Sequence, residues 1–455
     1  MSGADHGADV GRRSLLAGAA GLLGAAALPA TAAQAEERAQ TAARRYPPNW
    51  PDPEPYGLAD IRPDLWPRED NSFVLPLEQR PRDRELGRVW MRDTYVNCFD
   101  VGGKPLYVAT GTTRVPGLPA AAPWNDGIFV WTAPSLRGPW RLADTTRVRP
   151  AAEKGAEKGA EKGAEKGAEK GKVWSPEFVG ENRPGRVVVA PWQEYWTDEQ
   201  FGRRGNVWAP EVHRFGGKWY IVACMGDHSQ KVGSFLLVSE GGVEGPYRLA
   251  EGNHDKPFGD SFIGGPAFIK PGAYHHIDGS LYTEGRDAWL VLHNHLYAKF
   301  RDDMEDIVPV TGLPAFQQTP YTPEPYLEGA YVFKHRGKYY LLHAAWDRVS
   351  ADGARHAYDP PGAGRTQYQY DAVIAVADRF EGPYSERWTA GVGAGHNNLF
   401  ADHAGRLWAT FFRNPAAGYW ADPSRVAEAA VPGVVQMEWT GPEGSRLYVR
   451  RRHGR

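Results

Sequence analysis

The strongest constraint on the fold of this chain is a repeated local design, in most copies a tight turn followed by β-branched and aromatic residues. It occurs in GKPLYVATGT from Gly103, GRVVVAPW from Gly185, GKWYIVACMG from Gly217, DAWLVLHNH from Asp287, GKYYLLHAAW from Gly337 and GRLWATFF from Gly405. This is strand chemistry, because branched and ring side chains fit a half-buried pleat and small polar residues supply the turn. A second unit, glycine-proline-aromatic, recurs as GPWRLA at Gly138, GPYRLA at Gly245 and GPYSER at Gly382. One supersecondary element is therefore used several times. Strand runs alternating with helices, which an α/β barrel requires, are not visible. The 53 glycines, 37 prolines, 17 tryptophans and 21 tyrosines also disfavour long helical bundles.

Residues 153–171 interrupt this design with five copies of EKG joined by alanine. They offer no apolar face, and a glycine every fourth residue costs a helix about 1 kcal/mol each. The stretch reads as a solvated, mobile loop insertion. Without it, the roughly 350 residues from Leu86 to Arg455 divide into five units of about 70 residues. The expected fold is all-β, a five-bladed β-propeller over residues 88–455, with VVQMEWTGPEGSRLYVRR as a closing pair of strands and no further binding module.

Ahead of it, residues 1–35 have the layout of an export signal. Arg12 and Arg13 precede an apolar stretch of about fifteen residues and then Ala33 and Ala35, which suggests the twin-arginine route and a mature chain starting near Glu36. The stretch is shorter than the roughly 20 residues that span a bilayer. A secreted, extracellular protein with no membrane association after cleavage is expected. Residues 36–87 are polar and proline-rich and read as an irregular arm, with Trp50 and Trp66 packing across something larger. Lysine plus arginine (53) nearly balances aspartate plus glutamate (55), so there is no basic field to attract nucleic acid. A monomer is expected. The two cysteines, Cys98 and Cys224, give no zinc site and read as small buried hydrophobes, with a single disulfide as the alternative.

Acidic, aromatic and histidine residues gather at the edges of the strand runs, where a propeller collects side chains from separate blades. The segments are WMRDTYV with Asp93, NVWAPEV with Trp208 and Glu211, YHHIDGSLY with Asp278, YLEGAYVF with Glu328, and GHNNLF with His396. In this order, from about Trp90 to Phe412, the motifs resemble those of glycoside hydrolase family 43, whose members are five-bladed propellers. The resemblance implies that Asp93 is the general base, Glu328 the general acid and Asp278 the aspartate that tunes and orients the acid. It further implies that His396 lies near the bottom of the channel, where in many members a histidine helps to hold a calcium ion or ordered water. No cofactor is otherwise expected, and the partner is a carbohydrate. Two departures weaken a subfamily assignment: Gly329-Ala330 follows Glu328 where glycine-proline is common, and Thr94 follows Asp93 where proline is common.

Chemistry supports the same roles. Inversion at a glycosidic carbon needs one carboxylic acid for the leaving oxygen and one carboxylate to activate water on the opposite face. Burial of the acid beside another carboxylate favours its protonated form, while the base needs a polar setting. Glu324, four residues before Glu328, competes for the acid role. Trp124, Trp208 and Glu211 are candidates for substrate binding, the tryptophans as platforms for sugar rings or simply as core. The expected activity is removal of a terminal pentose, α-L-arabinofuranose or β-D-xylose, by an inverting exo-glycosidase. One alternative is a retaining β-fructosidase, suggested by Trp124-Asn125-Asp126-Gly127, although here Arg92-Asp93 precedes that motif. The other is a carbohydrate-binding propeller without catalysis.

Overall fold

The computed structural model describes residues 70–113, 127–145, 169–176, 178, 186–195, 197–198, 203–204, 206–226, 232–258, 277–292, 296–308, 317–318, 326–349, 355–356, 371–385, 387–391, 394–411, 431–441 and 444–450. A short strand, β1 (Ser72–Val74), comes first. Blade 1 follows as β2 (Met91–Val101), β3 (Lys104–Thr113), β5 (Trp131–Ala133) and β6 (Arg141–Leu142), with β4 (Ile128–Phe129) and β7 (Lys172–Trp174) forming a small ladder beside it. The strands β8 (Thr197–Asp198) and β9 (Arg203–Arg204) pair with each other. Blade 2 is β10 (Asn206–Phe215), β11 (Lys218–Gly226), β12 (Val232–Gly242) and β13 (Gly245–Leu249). Blade 3 is β14 (Ser280–Glu284), β15 (Asp287–Val291), β16 (Leu296–Lys299) and β17 (Gln317–Gln318). Blade 4 contains β18 (Tyr326–His335), β19 (Lys338–Val349), β21 (Asp371–Ala377) and β22 (Trp388–Gly391), with β20 (Arg355–His356) added to β19. Blade 5 contains β23 (Leu399–Ala401), β24 (Leu407–Phe411), β25 (Gly433–Thr440) and β26 (Arg446–Val449).

All pairings are antiparallel, and the first strand of each blade faces the first strand of a neighbour. Strand β10 packs on β2, β14 on β10, β18 on β14, and β23 on β2, while β22 meets β26 between blades 4 and 5. The ring is closed, and the fold is the expected five-bladed propeller. Blade 5 is completed from both directions along the chain, because β1 pairs with Gly433–Val435 while β26 takes Met437–Thr440 of the same strand. Leu75 and Leu77 then enter a core with Met91, Trp131 and Trp140. The propeller therefore begins at Ser72, inside the stretch read as an arm. Residues 1–69, including the stretch expected to be an export signal, Trp50 and Trp66, lie outside the described residues.

Two other expectations need revision. GRVVVAPW is not a strand of any blade. Val188, Val189 and Ala190 are fully buried, yet Pro191 begins a single α-helical turn, Pro191–Tyr195. Proline has no N–H for a ladder and suits the first helical position. The backbone of this run is used piecemeal instead: the Leu249 amide donates to Val187 O, the Trp174 indole to Val188 O, and the Ala190 amide to Gln193 Oε1. The last EKG unit, Glu169–Gly171, is docked on blade 1, with Gly171 buried and Lys170 exposed. Lys170 Nζ lies 2.8 Å from Glu78 Oε1, and the Val130 amide donates to Gly171 O at 2.9 Å. Gly171 has φ 82°, and a Cβ there would lie 2.5 Å from Leu142, so the position requires glycine. Both thiols are free, Cys224 buried and Cys98 half-buried. Among the described residues, no helix is long and apolar enough to cross a membrane.

Candidate active site

The innermost strands share a local irregularity that builds the site. Pairing lapses between Arg92 and Tyr95 in blade 1, between Trp208 and Glu211 in blade 2, and between Glu328 and Tyr331 in blade 4. Within each lapse one residue has a left-handed backbone: Asp93 (φ 51°), Ala209 (φ 45°) and Gly329 (φ 62°). Asp278 (φ 54°) and His396 (φ 47°) occupy the matching places ahead of β14 and β23. A bulge with a left-handed residue re-aims a side chain that regular alternation would bury between blades. Five blades thus present Asp93, Ala209, Asp278, Gly329 and His396 at one level, with Glu328 immediately before Gly329.

Asp93, Asp278 and His396 make direct contact at this level. His396 Nδ1 donates to Asp93 Oδ1 at 3.1 Å and lies 3.8 Å from Asp278 Oδ2. Asp278 Oδ2 also accepts the Gly329 amide at 3.2 Å. Asp278, Glu328 and His396 each bring an N or O atom to within 4.8 Å of the others, with Glu328 half-buried and the other two buried. Asp93 Oδ2 accepts the hydroxyl of Thr112 at 2.6 Å. Glu324 and Trp124 lie outside the described residues.

Proton affinities follow from this packing. Burial alone would raise Asp93, but the charge and hydrogen bond of His396, the charge of Arg92 and the Thr112 hydroxyl together lower it to about 2. Burial pushes Asp278 up; His396 pulls it down, Glu328 and Asp93 repel it, and it ends near neutrality, at about 7. Burial disfavours the His396 cation, yet Asp278 and Asp93 outweigh it and raise His396 to about 10. At neutral pH an ionised aspartate and an imidazolium thus lie side by side, with a carboxyl that still exchanges its proton next to them.

These donors fit a directly ligated calcium ion poorly. Calcium takes six to eight oxygens, and this cluster offers three carboxyl groups, Asp93, Asp278 and Glu328, with Asp93 already bonded to His396 and Thr112.

The substrate-binding candidates separate. Trp208 is half-buried beside the left-handed Ala209, level with the carboxylates, and its carbonyl accepts the Cys224 thiol at 3.6 Å. Glu211 lies just past the bulge of β10. It is buried and bonded to His213 Nε2 at 2.9 Å, and the Tyr95 hydroxyl approaches His213 Nδ1 at 3.4 Å. Asn97 in turn donates to Tyr95 at 3.1 Å, so donors run in one direction and end on the Glu211 carboxylate. Glu211 is thus engaged by His213, two residues on along the same strand. Burial, followed by the charge of Glu211, raises the Tyr331 hydroxyl.

The sequence is also similar to known proteins. The sequence profile described as glycosyl hydrolases family 43 matches residues 185–441, more than half of the chain, which include Asp278, Glu328 and His396 but not Asp93. A protein of Escherichia coli (strain K12) described as "Putative beta-xylosidase" is 27% identical over 186 residues, which are 40% of this chain and 29% of that protein. The chain therefore spans less than a third of that relative's length. Among solved structures, an exo-1,5-alpha-L-arabinanase from a bovine ruminal metagenomic library aligns with TM-score 0.45 and 10% identity, over 82% of this chain and all of that one. An endo-1,4-beta-xylanase from Bacteroides thetaiotaomicron aligns with TM-score 0.44 and 15% identity, over 80% and 95% of the two chains. With its profile match covering most of four blades and the histidine and carboxyl groups meeting at one level of the ring, the chain belongs to glycosyl hydrolase family 43, a family of enzymes that cleave glycosidic bonds.

Proposed function

We propose that this glycoside hydrolase is an exported, inverting exo-glycosidase that removes a terminal α-L-arabinofuranose or β-D-xylose from oligosaccharides or polysaccharides. The observation that carries the reading is the meeting of Asp93, Asp278 and His396 with Glu328, from four different blades. In this reading Asp93, kept ionised, takes a proton from water as the water attacks the anomeric carbon. Glu328 gives its proton to the departing oxygen, so one proton is consumed and one released. Asp278 orients the acid, since it holds the amide of Gly329, the residue directly after Glu328. His396 acts as a fixed cation that keeps Asp93 ionised. No step passes through a metal. A hydrated cation contacted through water is a separate reading, and dialysis against EDTA is expected to leave kcat/KM within about twofold.

The test uses aryl pentosides and unactivated oligosaccharides with the full chain. Asp93→Asn is expected to lose about 10²–10⁴-fold in kcat on both. Glu328→Gln is expected to lose most on the unactivated substrates, because an aryl leaving group needs little protonation. Proton NMR of the first-formed anomer is expected to show inversion. Retention, or wild-type turnover by either variant, overturns the assignment of roles. Binding without hydrolysis across pentosides, galactosides and arabinan points to a carbohydrate-binding propeller.

A further inference from the structure

We propose that Thr112 is a positioning residue for Asp93, and that through it blade 2 holds the base of blade 1 in place. The inference rests on Asp93 being the general base. Thr112 lies on β3, paired with Arg92 at the edge of the bulge that carries Asp93, and is 2% exposed. Its Oγ1 receives the backbone amide of Ala209 at 2.8 Å and contacts Asp93 Oδ2 at 2.6 Å.

A hydroxyl has one proton. With the Ala209 amide donating to the oxygen, that proton is directed at the carboxylate, and 2.6 Å is the length of a charge-assisted O–H···O⁻ bond. The direction is set by the backbone of Ala209, whose left-handed conformation turns its N–H out of the ladder and toward blade 1. The approach is close because Gly111 precedes Thr112: a Cβ there would lie 2.7 Å from Arg92 O. Asp93 is then gripped at both oxygens, Oδ2 by Thr112 and Oδ1 by His396 of blade 5. Two bonds in different directions fix the plane of the carboxylate, which decides which lone pair faces the attacking water.

The experiment is a double-mutant cycle on the full chain, with kcat and KM measured separately on an aryl pentoside. Thr112→Val keeps the shape and removes the donor. It is expected to lower kcat about 10–100-fold with KM changed less than about threefold, and Thr112→Ser is expected to recover most of the loss. In an Asp93→Asn background the valine change is expected to cost less than about threefold, since there is no longer a base to position. Should Thr112→Val not fold, because the Ala209 amide loses its acceptor, Thr112→Cys replaces it in the same cycle, keeping an acceptor with a weak donor. Wild-type kcat in the valine or cysteine variant overturns the inference, as does a full additive loss in the Asp93→Asn background or a failure of serine to rescue. If Asp93→Asn itself retains turnover, the role of Asp93 falls instead, which separates the two failures.

Discussion

Four non-glycine residues at the level of the site, Asp93, Ala209, Asp278 and His396, hold left-handed backbones, each at a cost of about 1–3 kcal/mol. Such strain survives only where the surroundings fix it, and here the fixing groups are the site's own hydrogen bonds. Gly329 takes the fifth such place for a steric reason. A Cβ there would lie 2.8 Å from His396 Cδ2 and 3.1 Å from its Cα. Gly329→Ala is therefore expected to displace His396 from Asp93 and to lower kcat at least about tenfold, with a stability loss of about 1–3 kcal/mol, measured by steady-state kinetics and urea unfolding. At this scale the sequence was legible wherever chemistry marks a residue. Asp93, Asp278, Glu328 and His396 stood out as carboxyl and imidazole groups at strand edges, and the structure brings them together. Thr112 was illegible, because a threonine in LYVATGTT is ordinary strand composition and only the bulge opposite gives its hydroxyl a task. Glu211 was legible as an acid and read as a candidate for substrate binding; its partner was not legible, because the pairing with His213 follows from the alternation that resumes after the bulge.

At the scale of the element, the bulge explains how one strand design yields different side chains at the same level. It also leaves a seam to be closed between blades 5 and 1, where β23 is short. Asn398 closes it with its side-chain amide, accepting the Val96 N–H at 3.1 Å and donating to Val96 O at 2.7 Å, so that it substitutes for a missing strand neighbour. Thr410 Oγ1 accepts the Asn398 amide at 3.0 Å and steadies the arrangement. Asn398→Leu is expected to strand both backbone groups of Val96 and to cost about 2–4 kcal/mol in urea unfolding, with Asn398→Asp intermediate because it keeps an acceptor. The strand repeat was readable from residues, since turn glycines and branched runs recur in each blade. The misreading of GRVVVAPW has a physical cause: its composition is that of a strand, but Pro191 and the use of its carbonyls by Leu249 and Trp174 leave no continuous edge to pair. Strand β1 was hidden for the opposite reason, as three residues in a proline-rich stretch become a strand only when β25 offers an edge.

For the whole molecule, the cluster at the centre of the ring couples folding to pH, and the sign follows from which state holds more protons. His396 is raised from 6.5 to about 10, so its contribution is fully present below pH 6.5 and is lost as pH rises toward 10. Asp278 is raised from 3.8 to about 7, so the folded state retains a proton that the unfolded chain releases, and stability again falls as pH rises through that window. Asp93 works in the other direction: lowered from 3.8 to about 2, it contributes above pH 3.8 and is lost as pH falls toward 2. The three windows leave the cluster most favourable to folding in mildly acid solution. On the alkaline side, the extra proton on His396 implies a decline of up to about 1.4 kcal/mol per pH unit. The groups that face it are Asp93, Asp278 and Glu328, with Arg92 acting on Asp93 from the same bulge. Urea unfolding at pH 6, 7, 8 and 9 is expected to show this decline in midpoint at constant m, and His396→Gln is expected to flatten it between pH 7 and 9. An unchanged slope in that variant would move the alkaline sensitivity away from the centre of the propeller and to groups elsewhere in the chain.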